Sequence, residues 1–139
     1  MSRIRILTFC LQTCIASLSC QSYTTGLQQS VTKTDETAAI AALHTIATAQ
    51  QTYAVTSGGS YGTFQQLREG GYLDSRFSST TPEVKGYILT MAVNGNSFSC
   101  NADPAPPGSG RHFYTDATSP VIHVNPSQPA TAQDAGLQP

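Results

Sequence analysis

From Thr34 to Val55 the chain reads "TDETAAIAALHTIATAQQTYAV", 22 residues without a glycine or a proline. Within it Ala39, Ile40, Leu43, Ile46, Ala47, Tyr53 and Ala54 recur at spacings of three and four, the repeat of one helix face. Thr34 is placed to cap the start, Asp35 and Glu36 to complement the positive end of the dipole, and "SGG" at 57–59 to end the helix. The spacing predicts a helix about 33 Å long. Its stripe is made mainly of small side chains, too little apolar surface to hold a helix alone, so another element has to lie on it.

The second half of the chain supplies that element. "TFQQL" at 63–67 sets Thr63 and Gln66 three apart, a capping box for a short helix, and "GGYLD" at 70–74 stops it. Residues 86–93 and 97–102 are rich in strand formers, and Asn94-Gly95 between them is a strong hairpin signal. Alternation puts Tyr87, Leu89, Met91 and Val93 on one face. "RHFYTD" (111–116) and "PVIHV" (120–124) read as two further strands joined by an Asp116 turn. The expectation is an α+β domain over residues 34–124: a long N-terminal helix packed on a three- to four-stranded antiparallel sheet. The polar stretch 20–33 reads as a tether, and 125–139, rich in Pro, Gln and Ala, as a disordered tail.

The N-terminus reads as an export signal. "MSRIRILTFCLQTCIASLSC" carries Arg3 and Arg5, an apolar run from Ile6 to Leu18 and small residues before Cys20. That run falls well short of the roughly 20 apolar residues a spanning helix needs. "SLSC" at 17–20 is similar to a lipoprotein cleavage site, with Leu18 two rather than three residues before the cysteine. Lipidation at Cys20, with membrane contact through that anchor, and ordinary secretion are the two export alternatives, and an uncleaved short anchor or a buried helix is the other reading of the segment. Removal of residues 1–19 takes Arg3, Arg5, Cys10 and Cys14, leaving five basic residues against eight acidic ones. That balance gives no basic footprint and argues against nucleic acid as a partner. Cys100 reads as a small buried hydrophobe; a disulfide to Cys20 is the other option.

The segment "ADPAPPGSGRHFYTD" (102–116) is the most distinctive of the chain. Pro104, Pro106 and Pro107 fix φ and lack a donor, so the loop from Asp103 to Gly110 is expected to stay out of the ladder and cross rigidly between strands. Pro104, Pro107, Gly108, Arg111, Phe113, Tyr114 and Asp116 form the candidate contact loop. Phe113 and Tyr114 should point to opposite faces, and Arg111 and Asp116 could pair with each other or with the sheet edge. His112 and His123 would sit on neighbouring strands, with Asp103 or Asp116 as a third metal ligand if there were one; two histidines alone make no site. His44 falls on the polar helix face. No nucleophile motif surrounds Cys100 or the serines, and the carboxylates are scattered, so neither catalysis nor a cofactor is expected.

Taken together, "DETAAIAALHTIATAQQTYA", "GTFQQLREGGYLD", "KGYILTM" and "NADPAPPGSGRHFYTDATSPVI" resemble the globular part of a type IV pilin or type II secretion pseudopilin. In the last stretch the resemblance rests on Pro107-Gly108, Arg111, Phe113 and Asp116, and it covers residues 34–124. It implies a helix clasped by an antiparallel sheet, and partners among envelope proteins or other pilin-like subunits. The apolar first half of a pilin helix is missing from the pattern, which implies a detached pilin head, exported and soluble or lipid-tethered. A small periplasmic or secreted ligand-binding module, with the 103–110 loop as one wall, and a pilin subunit read from the wrong start are the alternatives.

Overall fold

A computed structural model describes the backbone of residues 18–137 and the side chains of residues 26–137. Of the segment read as a signal, residues 1–17 lie outside the described residues, as does the side chain of Cys20. The described residues fall into two units that divide between Lys33 and Thr34. Helix α1 spans Leu18–Thr56, α2 spans Phe64–Glu69, and a 3₁₀ turn follows at Ser75–Phe77. Six strands come next: β1 (Glu83–Val84), β2 (Tyr87–Asn94), β3 (Ser97–Pro104), β4 (His112–Asp116), β5 (His123–Asn125) and β6 (Ala135–Gly136).

Helix α1 starts well before Thr34, so Thr34 is not its cap and the segment read as a tether is helical. Ser30 Oγ donates to the Gly26 carbonyl (2.9 Å) and Thr32 Oγ1 to that of Gln28 (3.0 Å). Hydroxyls that bond back one turn are compatible with a polar helix that lacks an apolar stripe. No helix among the described residues is long and apolar enough to cross a membrane.

Within residues 34–139, α1 buries Glu36, Ala39, Ala42, Leu43, Ile46, Ala49 and Gln50, a stripe at helical spacing. The same core holds Leu89 of β2, Cys100 and Ala102 of β3, and Phe113 of β4, each with no exposed surface. Full burial of a side chain such as Leu89 or Phe113 contributes about 1.5–3 kcal/mol each. Helix α2 closes one end. Its Thr63–Gln66 capping box forms as expected, with Thr63 N donating to Gln66 Oε1 (2.9 Å) and Gln66 N to Thr63 Oγ1 (3.3 Å). Phe64 stacks on Phe77 with ring centroids 6.1 Å apart.

The sheet is an antiparallel meander in the order β1-β2-β3-β4-β5-β6. It has six strands rather than three or four because β1 and β6 are two residues each, too short for alternation to mark them. The β2–β3 hairpin is closed by Gly95-Asn96, one residue later than Asn94-Gly95, with Gly95 at φ 52°. This is the left-handed region a two-residue turn demands, and glycine enters it without strain.

Of residues 125–139, expected to be disordered, the described part, 125–137, is folded. Asn125 Oδ1 accepts from the backbone N–H groups of Ser127 and Gln128, and Asn125 Nδ2 donates to Asp134 (2.8 Å). Asp134 Oδ2 in turn accepts from the Thr131 N–H (2.7 Å) and hydroxyl. Ala130 is buried, its carbonyl takes a hydrogen bond from Asn101 Nδ2 (2.8 Å), and β6 pairs with β5. Polar side chains hold most of this segment, with Leu137 packed on the core at its end, so its composition gave no sign of it.

Candidate functional site

The proline loop is anchored on both sides. Pro104 is not in the loop: it is buried and ends β3 opposite Tyr87. The two-residue turn makes Asn94–Ser97 the hydrogen-bonded pair, so the alternation puts Tyr87–Pro104 at a position needing no donor between the strands. A proline there costs the ladder nothing. The crossing begins at Ala105, whose N–H donates to the Gly86 carbonyl (2.7 Å). Pro106, Pro107, Gly108 and Ser109 are exposed, and Ser109 Oγ closes back onto the Pro106 carbonyl (2.7 Å).

Arg111, which follows the loop, does not pair with Asp116. It reaches Glu36, near the middle of α1, instead. Its Nη2 lies 2.8 Å and its Nε 3.2 Å from Glu36 Oε2, and its backbone N–H donates to Glu36 Oε1 (3.1 Å). Glu36 is 8% exposed. Because α1 starts at Leu18, Glu36 is no partner for the positive end of the dipole; it anchors a strand start 75 residues away. Tyr87 Oη donates to the Arg111 carbonyl (3.0 Å), and a Cβ on Gly110 would collide with that hydroxyl. Hydrogen bonding to Glu36 raises the Arg111 pKa. Burial, then the Glu36 charge, push the Tyr87 phenol up to about 12. The Arg111 guanidinium carbon also lies 5.6 Å from the centre of the Phe113 ring.

Phe113 itself is fully buried in the core, so of the adjacent aromatics only Tyr114, half-buried, reaches the surface. Asp116 forms the expected turn. Its Oδ1 accepts from the N–H and hydroxyl of Thr118 (2.8 and 2.6 Å) and from the Ser119 N–H (3.2 Å). Its Oδ2 accepts from Tyr114 Oη (3.1 Å). Burial pushes the Asp116 pKa up, but the Thr118 and Tyr114 hydrogen bonds outweigh it and the net shift is downward.

The histidines sit on neighbouring strands, as expected, but each is engaged separately. His112 Nδ1 lies 2.6 Å from Asp103 Oδ1, and His123 Nδ1 lies 2.7 Å from the Asp134 carbonyl. Among the described residues no three His, Cys, Asp or Glu side chains come together to hold a metal ion. Cys100 is a free, fully buried thiol whose pKa burial pushes up to about 12. It faces Thr115 across the β3–β4 ladder, on the opposite face of the sheet from His112. The exposed members of this region are therefore Pro106–Ser109, Arg111 and, in part, Tyr114.

A second feature had no sequence signal. A cavity of about 420 Å³ opens between α2, the 78–80 segment and β2, lined among others by Thr63, Phe64, Arg68, Ser79, Met91 and Val93. Its apolar floor belongs to strand and helix, its rim to hydroxyls and the Arg68 guanidinium. No protein-family model, curated protein or solved structure matches the chain.

Proposed function

We propose that this chain is a non-enzymatic, pilin-like protein exported to the bacterial envelope, where it acts by surface contacts as an accessory to a pilus or secretion system. The observation that carries this reading is the helix from Thr34 onward covered by an antiparallel meander, with the proline loop seated on it through Glu36 and Arg111. An anchored, exposed loop presents Pro107 and Gly108 to a partner at little cost in ordering. The non-enzymatic part is supported by Cys100, which a pKa of about 12 and full burial make a poor nucleophile.

Fractionation of a bacterium producing the full chain tests the reading. The protein is expected in the envelope fraction, shortened by its first 19 or so residues. A photocrosslinker placed at Pro107 is expected to capture envelope proteins. If lipidated, it enters the detergent phase on Triton X-114 partition, and Cys20→Ala moves it to the aqueous phase. Recovery of the full-length chain from the cytosol, uncrosslinked, would contradict the proposal.

A further inference from the structure

The cavity beside α2 coincides with a gap in the sheet edge. β1 pairs with β2 only at Tyr87 and Ile88, and the last bond on that side runs from Leu89 N to the Pro82 carbonyl (2.8 Å). At the far end of β2 the Tyr61 N–H donates to the Gly95 carbonyl (2.9 Å). Between these two closures the edge is open. The two-residue hairpin makes Asn94–Ser97 a hydrogen-bonded pair, so Ala92, Thr90 and Ile88 bond to β3 while the alternate residues face outward. Leu89, which turns its N–H to Pro82, follows that parity. Met91 and Val93 therefore direct their N–H and C=O groups out of the sheet, and among the described residues no hydrogen bond reaches them.

The side chains of those same two residues line the cavity, together with Phe64 and Arg68. Arg68 makes no ion pair among the described residues; its neighbour Glu69 is engaged by Gln65 (2.8 Å). Three features converge: unpaired strand-edge backbone, a cavity of ligand size in which Phe64, Met91 and Val93 stand among hydroxyl-bearing side chains, and a lining guanidinium that makes no ion pair among the described residues.

We infer that this notch is a β-augmentation site for the extended C-terminus of another protein, pairing with Met91–Val93, burying its last, apolar side chain beside Phe64 and presenting its carboxylate to Arg68. The inference does not depend on the pilin-like reading. A chain end fits better than an internal segment because both ends of the gap are closed. From Thr90 to Asn94 the open edge spans about 13 Å, the length of three or four extended residues. A through-going strand would have to displace Pro82 or Tyr61, whereas a terminus enters from solvent and stops.

The test uses the full chain, ¹⁵N-labelled, titrated with a pool of pentapeptides ending in Leu, Val or Phe with free carboxylates. A matched pool carries C-terminal amides and an internal glutamate. The free-carboxylate pool is expected to shift the amide resonances of Met91, Val93 and Arg68 and to slow hydrogen exchange at Met91 and Val93. The amidated pool is expected to bind at least tenfold more weakly. Arg68→Glu, on an exposed residue, should reduce affinity at least tenfold with the fold intact. Val93→Pro should abolish binding, because it removes an outward donor without removing a β2–β3 bond. No shift along β2 at millimolar peptide would overturn the proposal. Equal binding by the amidated pool, or unchanged binding in Arg68→Glu, would overturn the capture of a chain end.

Discussion

Gln50→Leu should lower the free energy of unfolding by about 2–4 kcal/mol, although leucine is the more apolar residue and of similar size. Gln50 has no exposed surface. Its Nε2 donates to the Gly62 carbonyl (2.6 Å), its Oε1 accepts the Gly62 N–H (2.9 Å), and Met91 Sδ lies 3.2 Å from Nε2. One side chain thus plays the part of a strand partner for a buried backbone unit between α1 and α2. Leucine would leave both groups of Gly62 without a partner, at about 1–3 kcal/mol each, and the gain in apolar burial offsets only part of that. Urea unfolding checks it: the midpoint should fall with an unchanged slope. A loss below about 0.5 kcal/mol, within the range of ordinary surface substitutions, would mean that the Gln50–Gly62 bridge is not made.

Arg111→Met should cost about 2–3 kcal/mol and expose the 105–110 loop to proteolysis. The substitution keeps the stem that lies against Phe113 but removes the two guanidinium bonds to Glu36. Removing one partner of a buried pair leaves the other charge in a poorly solvated place, typically about 3–5 kcal/mol. Here the Arg111 side chain is 46% exposed and that of Glu36 10%, so solvent screens the pair and the cost falls to or below the lower end of that range. Glu36→Gln should cost less, since its amide oxygen can still accept the Arg111 N–H. Limited proteolysis alongside thermal unfolding measures both effects. An Arg111→Met protein as stable and as protease-resistant as the parent would reduce the ion pair to a surface contact without consequence.

These two anchors show where sequence reading stops. The helix stripe, the Thr63–Gln66 capping box and the β2–β3 hairpin were legible because each depends on residues within a turn or two of one another. Leu43 and Ile46 could be assigned to the core from spacing alone, and so could Tyr87 and Leu89. Glu36 and Arg111 could not be joined, because no local rule links a helix residue to the start of a strand 75 positions later. Gln50 fell on the apolar face but its polarity hid it, since nothing local says that Gly62 needs a partner. The fold of residues 126–137 was missed for the opposite reason: Asn125, Thr131 and Asp134 hold it with the side-chain bonds that also mark turns and tails. The notch beside α2 depends on where β1 ends, and a strand of two residues leaves no periodicity to read.

The small-residue stripe of α1 from Thr34 onward is stable only because the meander covers it, so helix and sheet open together. Native-state hydrogen exchange on the intact chain measures this residue by residue. One opening free energy is expected for the amides of Leu43 and Ile46 on α1 and those of Leu89, Cys100 and Phe113 in the sheet. It is contradicted if the helix amides stay protected after the sheet amides have exchanged, or if they exchange far faster while the sheet remains closed.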